Sequence, residues 1–137
     1  MSNANLFKQF LDGKEIYAEV RENGEEAYFE FQQKLKSGSS GRVVVNISGD
    51  TLVSIYALDY VSLANTARRD YMYKLFNELN YRYTYYKFFL DNDNNIFLSA
   101  YIPIENNFSP TLVMNLLIGL IDVMEKEYAN IMKTMWA

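Results

Sequence analysis

Between residues 16 and 58 the apolar side chains recur at every second position, in short runs broken by turn-forming residues. That period belongs to a pleated strand with one face buried, not to a helix. Ile16, Ala18 and Val20 alternate with Tyr17, Glu19 and Arg21, and Asn23-Gly24 follows, a dipeptide that tolerates the positive φ angles of a tight hairpin. Ala27, Phe29 and Phe31 alternate with Tyr28, Glu30 and Gln32 on the return strand. A third strand covers Arg42 to Ile47, with Val43-Val44-Val45 too apolar for a surface strand, and Gly49-Asp50 turns into a fourth made of Leu52, Val53, Ile55, Tyr56 and Leu58. Ser37-Gly38-Ser39-Ser40-Gly41, the one flexible run, is too short to link domains. Four strands joined by short turns predict an antiparallel meander with one face against helices.

The helices are predicted by a change of period. Leu6, Phe7, Phe10 and Leu11 mark a short amphipathic helix over 5–11, stopped at Asp12-Gly13. A second helix is predicted over 62–79, with Ala64, Ala67, Tyr71, Leu75 and Leu79 on its buried face, Met72 and Phe76 widening it, and Asn80 ending it. A hairpin of strands near 83–90 and 96–102 comes next. In the last helix Ser109 is the N-cap and Pro110 the first residue, where a missing N–H costs nothing. Its stripe runs through Val113, Leu116 or Leu117, Leu120, Met124, Tyr128, Ile131 and Met135. Gly119 inside it weakens the helix by up to about 1 kcal/mol against Ala, which points to a close packing contact. The order is α-β-β-β-β-α-β-β-α, an α+β fold with helices mainly on one face of a twisted antiparallel sheet. Residues 1–137 read as one domain; Ser2-Asn3-Ala4 resembles the scar of tag removal, and 1–4 are read as a tag remnant or a disordered end.

Composition narrows the function. With no Cys and no His, disulfides, thiol catalysis, Ser-His triads and the commonest metal ligands are all excluded. Half the residues are apolar and 22 are aromatic (12 Tyr, 9 Phe, 1 Trp), ample for a core without staples. The net charge of −4 lies wholly in residues 1–30, where seven acids face Lys8, Lys14 and Arg21; the remainder is neutral. An acidic first third with no basic stripe disfavours nucleic acid. The most apolar stretch, Leu112 to Met124, contains Asn115 and Asp122 and falls short of the roughly 20 residues a membrane span needs. Asp12 and Lys14 interrupt any signal-peptide core, so a cytoplasmic protein is expected.

Few motifs suggest chemistry. Asp91-Asn92-Asp93-Asn94-Asn95 looks like a calcium loop, but Ile96 and Ile102 stand where an EF-hand needs Gly and Glu, so a hairpin turn is expected. Gly38, Gly41 and Gly49 fit no nucleotide fingerprint, and Arg68-Arg69 is a pair rather than a patch. No carboxylate pair ends a buried element beside a partner. Tyr81, Tyr83, Tyr85 and Phe89 alternate along the predicted strand, and Met132, Met135 and Trp136 cluster at the C-terminus; these seven are the candidate interface.

Asn77-Glu78-Leu79-Asn80, then Tyr85-Tyr86-Lys87-Phe88-Phe89-Leu90-Asp91-Asn92-Asp93, Ile96-Phe97-Leu98, Tyr101-Ile102-Pro103-Ile104 and a helix opening at Ser109 resemble the YbjN family of small bacterial proteins. Arg42-Val43-Val44-Val45 and the Gly49-Asp50 turn fit as well; residues 5–36 match by element order. The resemblance implies the type III secretion chaperone-like fold, common assembly as homodimers, and binding of extended protein segments without catalysis or cofactor. It transfers no catalytic residue. The longer first hairpin and the aromatic second one depart from the pattern and bear on any groove carried over. The expectation is a non-catalytic interaction or regulatory module, homodimeric, with a protein or peptide partner. The alternatives are a regulatory small-molecule pocket under the aromatic hairpin and a carboxylate-dependent enzyme.

Overall fold

The computed structural model describes residues 1–137. Its elements are α1 (Asn3–Gly13), β1 (Glu19–Asn23), β2 (Glu26–Lys34), β3 (Ser40–Ser48), β4 (Leu52–Ala57), β5 (Val61–Ser62), a 3-10 turn (Thr66–Arg68), α2 (Arg69–Arg82), β6 (Lys87–Leu90), β7 (Asn95–Pro103) and α3 (Pro110–Trp136). All strand pairs are antiparallel, in the order β1-β2-β3-β4-β7, with β5 and β6 also on β7. Ser99 pairs with both Tyr56 and Lys87, and Ile96 with both Val61 and Leu90. A residue has two such partners only across opposite edges, so β6 lies on the far side of β7 and β5 continues β4.

The predicted α+β order holds, with one strand more. The fourth strand breaks at Leu58 because Asp59 takes a left-handed φ of 55° and its carboxylate pairs with Arg42 (2.7 Å). Ser62 therefore belongs to β5, and the second helix begins at Arg69 instead of 62. Ala64, Ala67 and Tyr71, placed on its buried face by the sequence, are exposed; Met72, Leu75, Phe76 and Leu79 do the packing. At the N-terminus α1 reaches back to Asn3, capped by the Ser2 hydroxyl accepting from the Asn5 N–H (3.1 Å). The first strand shortens to Glu19–Asn23, every residue of it exposed.

One core joins the layers. Phe29, Val45, Ile55 and Ala100 are consecutive cross-strand partners, as are Ala27, Ile47, Val53 and Ile102. Side chains at paired positions share a face, and this is the face the helices cover. Phe7 of α1 meets Phe29 edge-on at 4.9 Å. Leu120, Met124 and Ile131 of α3 are fully buried. The capping expected at Ser109 is present, its hydroxyl accepting from the Leu112 N–H (3.2 Å). Of Leu116 and Leu117 it is Leu117 that enters the core. No helix is long and apolar enough to cross a membrane.

Leu120→Asp would place an unpaired charge in this core and is expected to destabilise by several kcal/mol, on the order of 3–5. Leu116→Asp should cost far less, which parallel urea titrations of the two variants will check.

Candidate interaction surface

Because strand side chains alternate, the positions between the core residues all point to the other side of the sheet. One row across it reads Arg21, Tyr28, Asn46, Ser54, Tyr101; the next reads Glu19, Glu30, Val44, Tyr56, Ser99, Lys87. Phe89 and Phe97 pair beside them. The rings form a connected group: Phe89 lies 4.9 Å from Phe97, and Phe97 stacks on Tyr56 at 5.4 Å. Val44 stands outside the core cluster yet is only 2% exposed, so neighbouring side chains on this face shield it without a helix. Burial, and next the Tyr28 hydroxyl, hold the Tyr56 phenol above its ordinary range.

Polar groups mark the middle and one corner. Asn46 Oδ1 is buried with no hydrogen-bond partner, between Tyr28 and Ser54. At the corner Arg42 grips both oxygens of Glu30 (3.2 and 3.3 Å) and Asp59 Oδ2 (2.7 Å). The rim carries both signs, with Arg21, Arg42 and Lys87 against Glu19 and Glu30.

Of the seven candidate interface residues, Phe89 alone reaches this face. The strand expected over 83–90 starts only at Lys87, because α2 runs on through Tyr81 and Arg82. Tyr81 is therefore a helical residue at 94% exposure, and Tyr85 is an exposed loop residue. Tyr83 turns inward and donates its hydroxyl to Glu127 Oε2 (2.5 Å). Burial, reinforced by that hydrogen bond, pushes its pKa up to about 12. Met135 is buried and Met132 half-buried, which leaves Trp136 as the exposed residue of the C-terminal set. The stripe of Tyr28, Tyr56, Phe97 and Tyr101 was missed, although its signal was there: each stands one residue from a core position.

The space beneath the aromatic hairpin, expected under one reading to be a pocket, is filled by rings. Tyr86 lies against Gly119 and donates to the Leu116 carbonyl (2.9 Å). A Cβ at 119 would overlap the Tyr86 hydroxyl, which accounts for the glycine inside α3. Nearby, Glu127 is buried but fully engaged, by Tyr83, by Arg82 (3.1 Å) and by Asn130 (3.3 Å). A concavity of about 660 Å³ sits instead at the start of α1 and is lined mainly by polar residues. In the 91–95 turn, Asp91 Oδ1 accepts the N–H groups of Asp93 and Asn95 (both 2.9 Å), and Asn94 takes a left-handed φ of 63°. The carboxylate is spent on its own turn, and those backbone bonds hold its pKa low.

An antiparallel sheet covered by helices on one side, with aromatic rings on the other, is the architecture of a small α+β protein offering a surface rather than a cleft. The chain belongs to the YbjN family, described as "Putative bacterial sensory transduction regulator", whose model matches residues 3–126. A search of the curated proteins finds no match.

Two consequences follow at α3. Ala is the better helix former by about 1 kcal/mol, yet Gly119→Ala should destabilise the protein because its methyl would drive the Tyr86 hydroxyl off the Leu116 carbonyl. In a Tyr86→Ala background the same change should become stabilising, a reversal that chemical denaturation of the four variants reads directly. Glu125 accepts the N–H groups of Lys36 (2.8 Å) and Ser37 (2.9 Å), which hold its carboxyl below the ordinary value of 4.5. A depressed pKa means that the tether's contribution is complete above that ordinary value and lost as pH falls through the folded one. The amide proton shifts of Lys36 and Ser37 should titrate with a midpoint under 4.5, and Glu125→Gln should abolish the titration.

Proposed function

We propose that this protein is a non-catalytic regulatory interaction module of the bacterial cytoplasm that works by protein–protein contact and pairs with a second copy of itself. The observation that carries the reading is the aromatic row Phe89, Phe97 and Tyr56, with Tyr28 and Tyr101 beside it, on the sheet face no helix covers. Tyrosine and phenylalanine are enriched in the centres of interfaces, because each ring contributes a large contact area at little entropic cost. Apolar patches of several hundred Å² are rarely left bare on soluble monomers. Covering this one would contribute to the roughly 1,200–2,000 Å² of a stable dimer. The mixed charge of the rim suits a second copy better than a strongly charged partner. Membership of a family described as a regulator supports the regulatory half of the reading.

Light scattering coupled to size exclusion should give twice the 16.0 kDa of one chain at concentrations on the order of tens of micromolar. Tyr56→Lys and Tyr101→Lys should each yield a folded monomer, since neither ring belongs to the helix-side core. A monomeric wild type at that concentration would overturn the dimer.

A further inference from the structure

The two edges of the sheet are finished in opposite ways. At β6, Asn80 takes the place of a neighbouring strand: its Nδ2 donates to the Phe88 carbonyl (3.2 Å) and its Oδ1 accepts from the Phe88 N–H (2.7 Å). The Lys87 ammonium folds back onto the carbonyls of Asn80 (2.8 Å) and Tyr83 (2.7 Å). Side-chain caps and an edge lysine are devices that prevent a strand from pairing further.

The β1 edge has neither. All five residues are exposed, none is proline or lysine, and β2 is the one strand it pairs with. The hairpin closes at Asn23 and Glu26 across Gly24-Glu25, with the positive φ on Gly24, as a type II′ turn requires. In a two-residue hairpin the closing pair is hydrogen-bonded and the pairs alternate from there. Glu19, Arg21 and Asn23 therefore bond to β2, while Val20 and Glu22 turn their N–H and C=O groups outward. Beside this edge is a cleft of about 260 Å³, walled by Leu11, Ile16, Tyr17, Ala18, Val20 and Phe29, with the charged Lys8 and Asp12 also lining it. Acids predominate around it: residues 1–30 carry the whole net charge, Lys8 is already paired with Glu22 (2.8 Å), and Arg21 stands on β1 between Glu19 and Glu22.

We propose that the outer edge of β1 accepts an extended basic segment of a partner protein. Its backbone would bond to Val20 and Glu22, an apolar side chain would enter the cleft, and lysine or arginine would meet the acids. This is strand addition, in which the backbone supplies affinity and an adjoining pocket supplies selectivity. A second copy pairing through its own β1 would bring two acidic regions together, which favours a basic occupant instead. The inference rests on the chain being an interaction module, but not on the dimer.

The test uses the full chain and a short fluorescein-labelled peptide of alternating lysine and valine. Anisotropy should show saturable binding that weakens as salt rises, and hydrogen exchange should show new protection at the Val20 and Glu22 amides. A glutamate–valine peptide should not bind. Val20→Pro removes an outward N–H that the β1–β2 ladder does not use, so it should weaken binding about tenfold or more with circular dichroism unchanged. Glu19→Lys, on the face that the peptide's lysines would share, should weaken it through charge. Failure of the lysine–valine peptide to bind would overturn the proposal, as would binding indifferent to Val20→Pro or protection confined to β7. Loss of a dimer in Val20→Pro would also overturn it, by making a second copy the occupant. Peptide binding with no dimer, or a dimer with no peptide binding, would separate this proposal from the open-face reading.

Discussion

The packing of α3 across the sheet governs the rest of the molecule. At 27 residues the helix is about 40 Å long, more than the roughly 24 Å that six strands span. It touches β3, β4 and β7 and both other helices. Its stripe, from Val113 through Leu117, Leu120 and Met124 to Ile131 and Met135, buries against the central strands. Once that helix occupies one face, α1 and α2 complete the same layer: Phe7 seals β2, and Phe76 stacks on Phe88 at 5.9 Å. The alternate side chains of every strand are then left with no helix to meet. The open aromatic face is thus a consequence of where the helices lie.

The helical layer is held in place by polar pins as well as by its stripe. Tyr60 donates to the Met124 carbonyl (2.7 Å), Tyr86 to that of Leu116 (2.9 Å), and the Arg68 guanidinium to that of Thr134 (3.0 Å). Glu127 gathers Arg82 and Tyr83 from the end of α2, and Glu125 tethers the loop between β2 and β3. A buried carboxylate is tolerated only when its lone pairs are matched, and Glu127 meets that condition with three partners. Each pin joins α3 to a segment distant in sequence, so register and helix position specify one another.

Two surfaces remain after this assembly, and they differ in kind. The open face offers ring area and mixed charge, suited to a broad contact. The β1 edge offers outward backbone groups, a small cleft and a mainly acidic setting, suited to a single extended segment. The two do not overlap, since one is a face and the other an edge of the same sheet.

The period-two runs from 16 to 58, the turn at Asn23-Gly24, the Ser109-Pro110 start and the stripe of the last helix were all legible, because each is a local property of backbone and side-chain spacing. Gly119 was legible too, as a glycine that costs helix stability and so marks a contact. The tyrosines from 81 to 86 were not. Their alternation reads as strand, but Leu75, Phe76 and Leu79 bury as a helical face and carry α2 through Tyr81 and Arg82. Tyr83 and Tyr86 then answer to Glu127 and Gly119, more than thirty residues further on. The sequence by itself determined the strands and helices whose periodicity is local, and that alternate positions of the central strands would be apolar. Only the tertiary structure decided which tyrosines stay outside, which face remains open and which edge is closed, because those depend on contacts between residues far apart along the chain.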